Sequence, residues 1–581
     1  MTNGDEASDG MTKGLQVDLF HPESDREPGD TNIERWGFDI HPVVFPAALL
    51  LIGVFVAATL LLGQEAASVY SGVRSFFEGN FGWFYLLAVN LFIVVLLFFA
   101  LSKYGKIRIG GVEAEKEFSD FAWMSMLFSA GMGIGLMFYS VSEPLYYFGN
   151  VPGFFGADAG TGAAGAAALT QTFFHWGFHP WAIYGLVGLG LAFFSFNRGL
   201  PLTFRSIFWP LLGERIYEWP GHVIDLVSVF ATLFGLATSL GLGVKQINTG
   251  LSYIFGDVLG VATIPTGTGT EIALIVVITA IATASVAAGL EGGVKRLSTL
   301  NVYLMFALLG FLLLVGPTVY ILGAWVQGLG SYFGNLPSLA FFTGVLGDGQ
   351  TTVHAWTVFY WAWWIAWSPF VGMFVARISK GRTVREFVIG VLVLPSLFST
   401  IWLSVFGGTG LFNALHGNGA ALAAYNDAGQ TVAMFALLQQ YPIGAISGLL
   451  AVLLVVTFFV TSSDSGSLVV DHLTSGGKHD VPRAQRIFWA VTEGAVAALL
   501  LYGGGLNALQ TAAIATGFPF AVILVVMCYT VYLGLRREYE LLQSEEFAER
   551  IQDMTEEDIH IDRSRSDIVT DIRDATESAD D

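Results

Sequence analysis

Twelve stretches of this chain stay apolar for about the 20 residues a helix needs to cross the hydrocarbon core of a bilayer. They run roughly over residues 43–63, 82–101, 121–148, 170–196, 222–245, 271–290, 299–323, 353–377, 386–406, 442–472, 486–505 and 508–535. Each run is continuously apolar, whereas a membrane barrel shows segments of about ten residues alternating with a period of two. Helices are the remaining form that satisfies its own backbone inside lipid, so the expected fold class is an all-α polytopic membrane protein with 12 transmembrane helices. A mean hydropathy of +0.62, with 54% hydrophobic and only 13% charged residues, excludes a soluble multi-domain protein.

Charge sets the orientation, because basic residues in short loops stay in the cytoplasm. Of the 18 Lys and Arg between residues 43 and 535, sixteen fall in alternate connections. Only Arg74 and Lys245 lie elsewhere, which puts both termini in the cytoplasm and the protein in the plasma membrane. Residues 1–42 carry ten acidic and three basic side chains, and residues 536–581 carry sixteen and six, so most of the net charge of −20 sits in two tails. Such tails are ordinarily solvated, unstructured ends; a halophile's salt-rich cytoplasm is the sharper reading. No cleavable leader is expected, since residues 1–42 are polar and run straight into a full-length span. The single cysteine, Cys528, builds neither a disulfide nor a thiolate metal site.

The eighth run contains Trp-Thr-Val-Phe-Tyr-Trp-Ala-Trp-Trp-Ile-Ala-Trp-Ser-Pro-Phe, residues 356–370. On a helix, Trp356, Tyr360, Trp363, Trp364 and Trp367 share one stripe. Indole faces attract cations through the ring quadrupole, and quaternary ammonium groups, which donate no hydrogen bonds, are held mainly by such walls. Packing and interfacial belting are the commoner fates of membrane tryptophans.

Polar and glycine-rich segments add to this. The third run holds Ser129-Ala-Gly-Met132-Gly133-Ile-Gly135, where glycines either let helices approach closely or unwind the helix and free carbonyls for a cation. Ser368-Pro369 and Gly372 predict a similar interruption in the eighth run, so runs three to seven and eight to twelve read as two sets of five, each opening on a broken helix. In the fourth run, Trp181 and Tyr184 share a helical face behind a kink expected at Pro180. His175 and His179 have the spacing of a metal pair, but structural hydrogen bonding is the more common role. The tenth run carries Thr461-Ser462-Ser463-Asp464-Ser465, a cluster of hard oxygen donors suited to an alkali cation, although any one hydroxyl can instead bond its own helix. Lys245 reads either as a snorkelling residue or as a tethered ammonium.

With these motifs, and Arg377-Ile-Ser-Lys-Gly-Arg382 after the tryptophan run, residues 43 to 537 resemble the betaine/carnitine/choline transporter family. The resemblance implies two peripheral helices and a LeuT-like core of two inverted five-helix repeats, assembled as a homotrimer. In segments, that is an acidic tail (1–42), two peripheral helices and a loop (43–120), a first repeat (121–323), an extracellular connection (324–352), a second repeat (353–535) and an acidic tail (536–581). By position, Trp176, Trp181, Tyr184 and Trp364 match the family's aromatic box, and Trp363, Trp367 and Phe370 line the inward path. Ser129, Met132, Phe458, Thr461 and Ser462 match its sodium site. Thr232 matches one member of a second sodium site whose expected threonine partner is Leu236 here. Ala355 and Ala366 are further departures. Gly135 matches sodium-coupled betaine carriers, where proton-coupled choline carriers tend to have aspartate.

The expected function is sodium-coupled symport of glycine betaine or a related quaternary ammonium zwitterion, serving osmoprotection, with Na+ as the coupling ion, no other cofactor, and membrane lipid but no nucleic acid as surroundings. The alternative is proton-coupled or exchange transport of choline or carnitine. A channel or receptor differs from either in not accumulating its ligand uphill. No enzyme is expected, for the sequence shows neither a nucleophile and base with an oxyanion site nor a nucleotide-binding loop.

Overall fold

The computed structural model describes residues 26–130, 133–288, 295–347, 349–478 and 480–544. A two-stranded antiparallel hairpin, β1 (Ile33–Arg35) and β2 (Phe38–Ile40), precedes the helices α1 (Val44–Leu62), α2 (Ala66–Leu101), α3 (Asp120–Ala130), α4 (Ile134–Gly149), α5 (Gly162–Trp176), α6 (Phe178–Ala192) and α7 (Trp219–Ser252). The second half contains α8 (Thr268–Ala288), α9 (Lys295–Val315), α10 (Thr318–Phe341), α11 (Phe359–Arg377), α12 (Val384–His416), α13 (Gly444–Thr474) and α14 (Arg483–Leu542). Among the described residues, 10 helical segments are long and apolar enough to cross a membrane.

The difference from twelve runs has two local causes. The third run is two shorter helices, α3 and α4, on either side of residues 131–133. The last two runs lie together in the 60-residue α14, which turns at Gly504 and Gly505. Gly505 has φ +60°, ψ −138°, a conformation that a Cβ disfavours.

Burial separates core from periphery. The most apolar windows of Gly162–Asn197 and Gln350–Arg377 are 94% and 83% buried, against 28% for Val44–Leu62 and for Arg296–Val315. Outer helices leave side chains such as Leu61, Leu314 and Val319 exposed, which suits contact with acyl chains, as lipid is no less apolar than leucine.

Three expectations are corrected. The eighth run is not interrupted at Pro369, because α11 continues through it. Proline removes the N–H that would reach the carbonyl of Ile365; the Ser368 hydroxyl donates to that carbonyl at 2.7 Å instead. Secondly, the seventh run, expected to reach residue 323, ends at Val315, and a separate helix α10 begins at Thr318 after Pro317 and continues into the 324–352 segment. Thirdly, the fourth run bends at Gly177 (φ −94°, ψ −130°) rather than at Pro180. Pro180 falls in the first turn of α6, where its missing N–H costs nothing.

The two basic residues outside the charge pattern are both neutralised. Arg74 Nε lies 2.6 Å from Glu78 Oε1, and Lys245 Nζ 3.1 Å from Glu271 Oε1. An ion-paired Lys245 is not a free tethered ammonium.

On the opposite face, the loop after α11 clamps the segment before α3. Ile109 N donates to Arg382 O at 2.9 Å, Gly381 N to Ile109 O at 2.8 Å and Val384 N to Ile107 O at 2.8 Å. Gly381 has φ +82°, and a Cβ there would lie 2.1 Å from Glu115 O, so the Lys-Gly-Arg turn requires glycine. Thr383 and Glu386 then form a capping box on α12.

The β-hairpin is tied to the turn between α13 and α14. His41 N donates to Thr474 O at 2.9 Å, Asp39 N to Gln485 Oε1 at 2.8 Å, and Lys478 pairs with Asp39. His41 Nδ1 accepts from the Val43 and Val44 amides, each at 3.2 Å, a role only the unprotonated ring fills. Burial, then the charge of Arg205 and the neighbouring His222, pushes His41 from 6.5 down to about 3. A base depressed in the folded state stabilises fully above its unfolded value and loses that contribution as pH falls towards its folded value. Hydrogen exchange of residues 33–44, corrected for intrinsic rates, is therefore expected to quicken progressively from pH 6.5 towards pH 3. His41→Asn, a non-titrating acceptor, should flatten the profile; a flat wild-type profile would contradict the assignment.

Candidate functional site

The bend at Gly177 and the extended backbone at Gly133 meet the unbroken helix α11 around a cavity of about 40 Å³. That is room for a few waters. Trp176, Trp181, Tyr184, Trp363, Trp364 and Trp367 all line it, with Gly133, Gly135, Ser239, Ser399 and Ser462. Seven of the sequence-derived site residues, Ser462 among them, are thus at one place.

The rings are mutually braced. Trp363 and Trp364 stack with centroids 4.5 Å apart at 18°, Trp364 meets Trp176 edge-on at 4.8 Å and 70°, and Trp181 meets Tyr184 at 5.2 Å and 79°. Trp364 Nε1 donates to His175 O at 3.2 Å, and Trp363 Nε1 to Ser239 Oγ at 3.2 Å. Trp367 Nε1 has no partner among the described residues, which leaves one donor uncommitted on a cavity-lining ring.

The glycine string explains the closeness of this wall. A Cβ at Gly135 would lie 2.7 Å from Trp363 and 2.9 Å from Trp176. At Gly133 the backbone is extended (φ −175°, ψ −177°) and the nearest atom of Trp367 lies 3.5 Å from the Cβ position. Here glycine serves both a break and a close approach.

The tryptophan stripe divides. Trp356 and Tyr360 lie 6.0 Å apart and pack on Tyr139 at 5.7 and 5.3 Å, outside the cavity lining. Phe370 packs on Trp367 at 5.3 Å but does not line the cavity.

The oxygen cluster on α13 is shared among different partners. Thr461 Oγ1 donates to Thr457 O at 3.0 Å and accepts from Asn301 at 3.0 Å. Ser462 faces the cavity, Ser463 donates to Glu493 at 3.3 Å, and Asp464 accepts from Ser285 at 3.0 Å and pairs with Arg486 at 3.3 Å. Phe458 is buried, Ser129 sits at the exposed end of α3, and Met132 lies outside the described residues. Thr232 is buried, donates to Ser228 O at 2.7 Å and does not line the cavity. Its neighbour Leu236 packs on Gly466, whose Cβ position is 2.2 Å from Leu236 Cδ1, so apolar packing fills the place of a second hydroxyl.

The histidines of the fourth run are not a metal pair. His179 stacks on Trp361 at 5.3 Å and 9° and bonds Asn90 at 3.1 Å. His175 Nδ1 lies 2.6 Å from Glu143 Oε1. Glu143, fully buried on α4, also accepts from Trp176 Nε1 at 2.8 Å and Tyr360 Oη at 2.7 Å on Oε2. This hub is absent from the sequence-derived site. Its signal was a carboxylate inside a membrane-length run, which is rarely without function.

The profile of the betaine/carnitine/choline family transporters matches residues 43–540. Glycine betaine transporter 1 of Vibrio parahaemolyticus is 45% identical over 541 residues, covering 91% of this chain and 100% of its own. A glycine betaine/proline/choline transporter of the same organism is 44% identical over 537 residues (89% and 95%), and the glycine betaine transporter of Acinetobacter baylyi 40% over 506 residues (87% and 75%). A chain matched over nearly all its spans, with the aromatic residues of its motifs gathered on one cavity, belongs to the betaine/carnitine/choline transporter family.

Proposed function

We propose that this chain is a secondary carrier that accumulates glycine betaine, or a related quaternary ammonium zwitterion, by symport with sodium. The observation that carries this reading is the cavity itself, walled by indole and phenol rings with three serines as its polar lining. A trimethylammonium group gains from ring faces and loses nothing by lacking donors. The carboxylate of a zwitterion needs a donor, and the unpartnered Trp367 Nε1–H offers one. The names of the relatives, glycine betaine transporters, support the same substrate. A relative named also for proline and choline keeps choline as the second reading, by proton coupling or exchange. Twelve crossings with both termini in the cytoplasm, a trimeric assembly in the plasma membrane and the absence of catalysis belong to the same proposal.

Sodium is proposed to bind where Ser462 and the break between α3 and α4 border the cavity. The supporting observation is that Ala130, Gly133 and Ser462 line the same space, with Thr461 one residue away. Proteoliposomes given an inward sodium gradient are expected to concentrate labelled betaine, and an imposed proton gradient alone is expected not to. Thr461→Ala with Ser462→Ala should raise the sodium concentration for half-maximal uptake while thermal unfolding stays near wild type. Wild-type uptake indifferent to sodium would overturn the coupling and favour the second reading.

A further inference from the structure

Glu143 holds two rings next to the cavity without entering it. Its partners are His175, Trp176 and Tyr360, and among the described residues no lysine or arginine bonds to it. His175 Nε2 faces Thr357 Oγ1 at 2.9 Å and the Gln171 amide nitrogen at 3.2 Å. An amide NH2 only donates, so Nε2 accepts and the single ring proton sits on Nδ1, aimed at Glu143. The imidazole is then neutral. Three donors converge on its two oxygens, and the ionised carboxylate is the acceptor-only form that takes all three, so we read Glu143 as a carboxylate that no lysine or arginine neutralises among the described residues.

We propose that Glu143 sets the charge preference of the cavity: it positions Trp176 and Tyr360 and, through its own charge, favours ligands with net positive charge over zwitterions. The proposal rests on reading the cavity as a quaternary ammonium site. Two physical effects act together. Hydrogen bonds from Trp176 Nε1–H and Tyr360 O–H to a charged acceptor polarise both rings and make their faces more negative. Tyr360 stacks on Trp364 at 5.6 Å and 10°, and Trp176 meets Trp364 at 4.8 Å, so both polarised rings contact the same wall. The second effect is direct. A cation one ring-width and one contact beyond the carboxylate, on the order of 8 Å away at an effective dielectric of about 20, gains roughly thirtyfold in affinity. For a zwitterion whose carboxylate lies a few ångströms farther out, most of that attraction cancels and about threefold or less remains.

The test compares tetramethylammonium, a net cation, with glycine betaine, binding of each being followed by tryptophan fluorescence of the purified full-length protein. Glu143→Gln removes the charge but keeps an oxygen that accepts from Trp176 and Tyr360, while its NH2 donates to His175 once the ring proton moves to Nε2, where Thr357 Oγ1 accepts it in place of the Gln171 contact. Affinity for tetramethylammonium is expected to fall about thirtyfold and that for betaine by about threefold or less. Glu143→Asp retains the charge, so whatever affinity the shorter reach loses should be lost equally for both ligands. Equal losses for the two ligands in Glu143→Gln, or an altered ratio in Glu143→Asp, would overturn the proposal by reducing Glu143 to a packing role. If the glutamine variant does not fold, Glu143→Met, uncharged and of similar length, is read by the same ratio of the two affinities. Wild-type protein that binds neither ligand overturns the quaternary ammonium reading and this proposal with it, an outcome distinct from equal losses.

Discussion

Replacing Trp181 or Trp364 by leucine is expected to lower affinity for glycine betaine by more than about tenfold, because each change removes a ring quadrupole worth on the order of 2 kcal/mol when desolvated. Leucine retains apolar bulk. It loses the 4.8 Å edge contact between Trp364 and Trp176, or the 5.2 Å contact between Trp181 and Tyr184. Since both tryptophans line the cavity, the loss should appear in titrations of either variant by calorimetry, with a melting temperature close to wild type. Unchanged affinity in both folded variants would remove the cavity from consideration as the substrate site.

A single methyl group at Gly135 is expected to do comparable damage by a different route. Its Cβ would stand 2.7 Å from Trp363 and 2.9 Å from Trp176, and neither indole is free to swing: Trp363 bonds Ser239 and stacks on Trp364, while Trp176 bonds Glu143. Overpacking of this kind costs about 1–3 kcal/mol. With two cavity-lining rings displaced, betaine affinity in Gly135→Ala should fall by about tenfold or more. An aspartate, larger still, cannot enter this arrangement without moving both rings. Wild-type affinity in Gly135→Ala would show that the wall adapts, and would dissociate the glycine from substrate choice.

Much of this site was legible because membrane helices leave few readings of an aromatic or polar residue. The stripe of Trp363, Trp364 and Trp367 followed from helical spacing, and Trp176, Trp181 and Tyr184 from the motif resemblance; the cavity collects all six. What escaped was interhelical. Glu143 reaches Trp176 and Tyr360 across 33 and 217 positions of sequence, and no periodicity reports such a pairing. The histidines take the structural hydrogen-bonding role the sequence favoured, but the acid that bonds His175 comes from a different helix and was not legible. Backbone breaks were misplaced where a side chain compensates, as Ser368 does beside Pro369, or where the strain falls on glycine rather than proline, as at Gly177. The twelve runs became ten qualifying segments because composition does not register a turn made by Gly504 and Gly505.

The hydroxyl of Ser368 has a mechanical consequence. By keeping α11 whole past Pro369 it makes the 19 residues from Phe359 to Arg377 a stiff rod of about 28 Å, close to the thickness of the hydrocarbon core. Trp363, Trp364 and Trp367 are fixed to that rod and keep their spacing whenever it moves. A rigid tilt of about 10° shifts one end by about 5 Å relative to the other, the scale of motion by which packed helices slide and pivot. The facing wall differs in kind, since Gly133, directly before α4, is extended rather than helical (φ −175°, ψ −177°). One side of the cavity is therefore a lever, and a small rotation of α11 carries its three indoles together past Gly133 and Gly135, which offer no side chain to obstruct them.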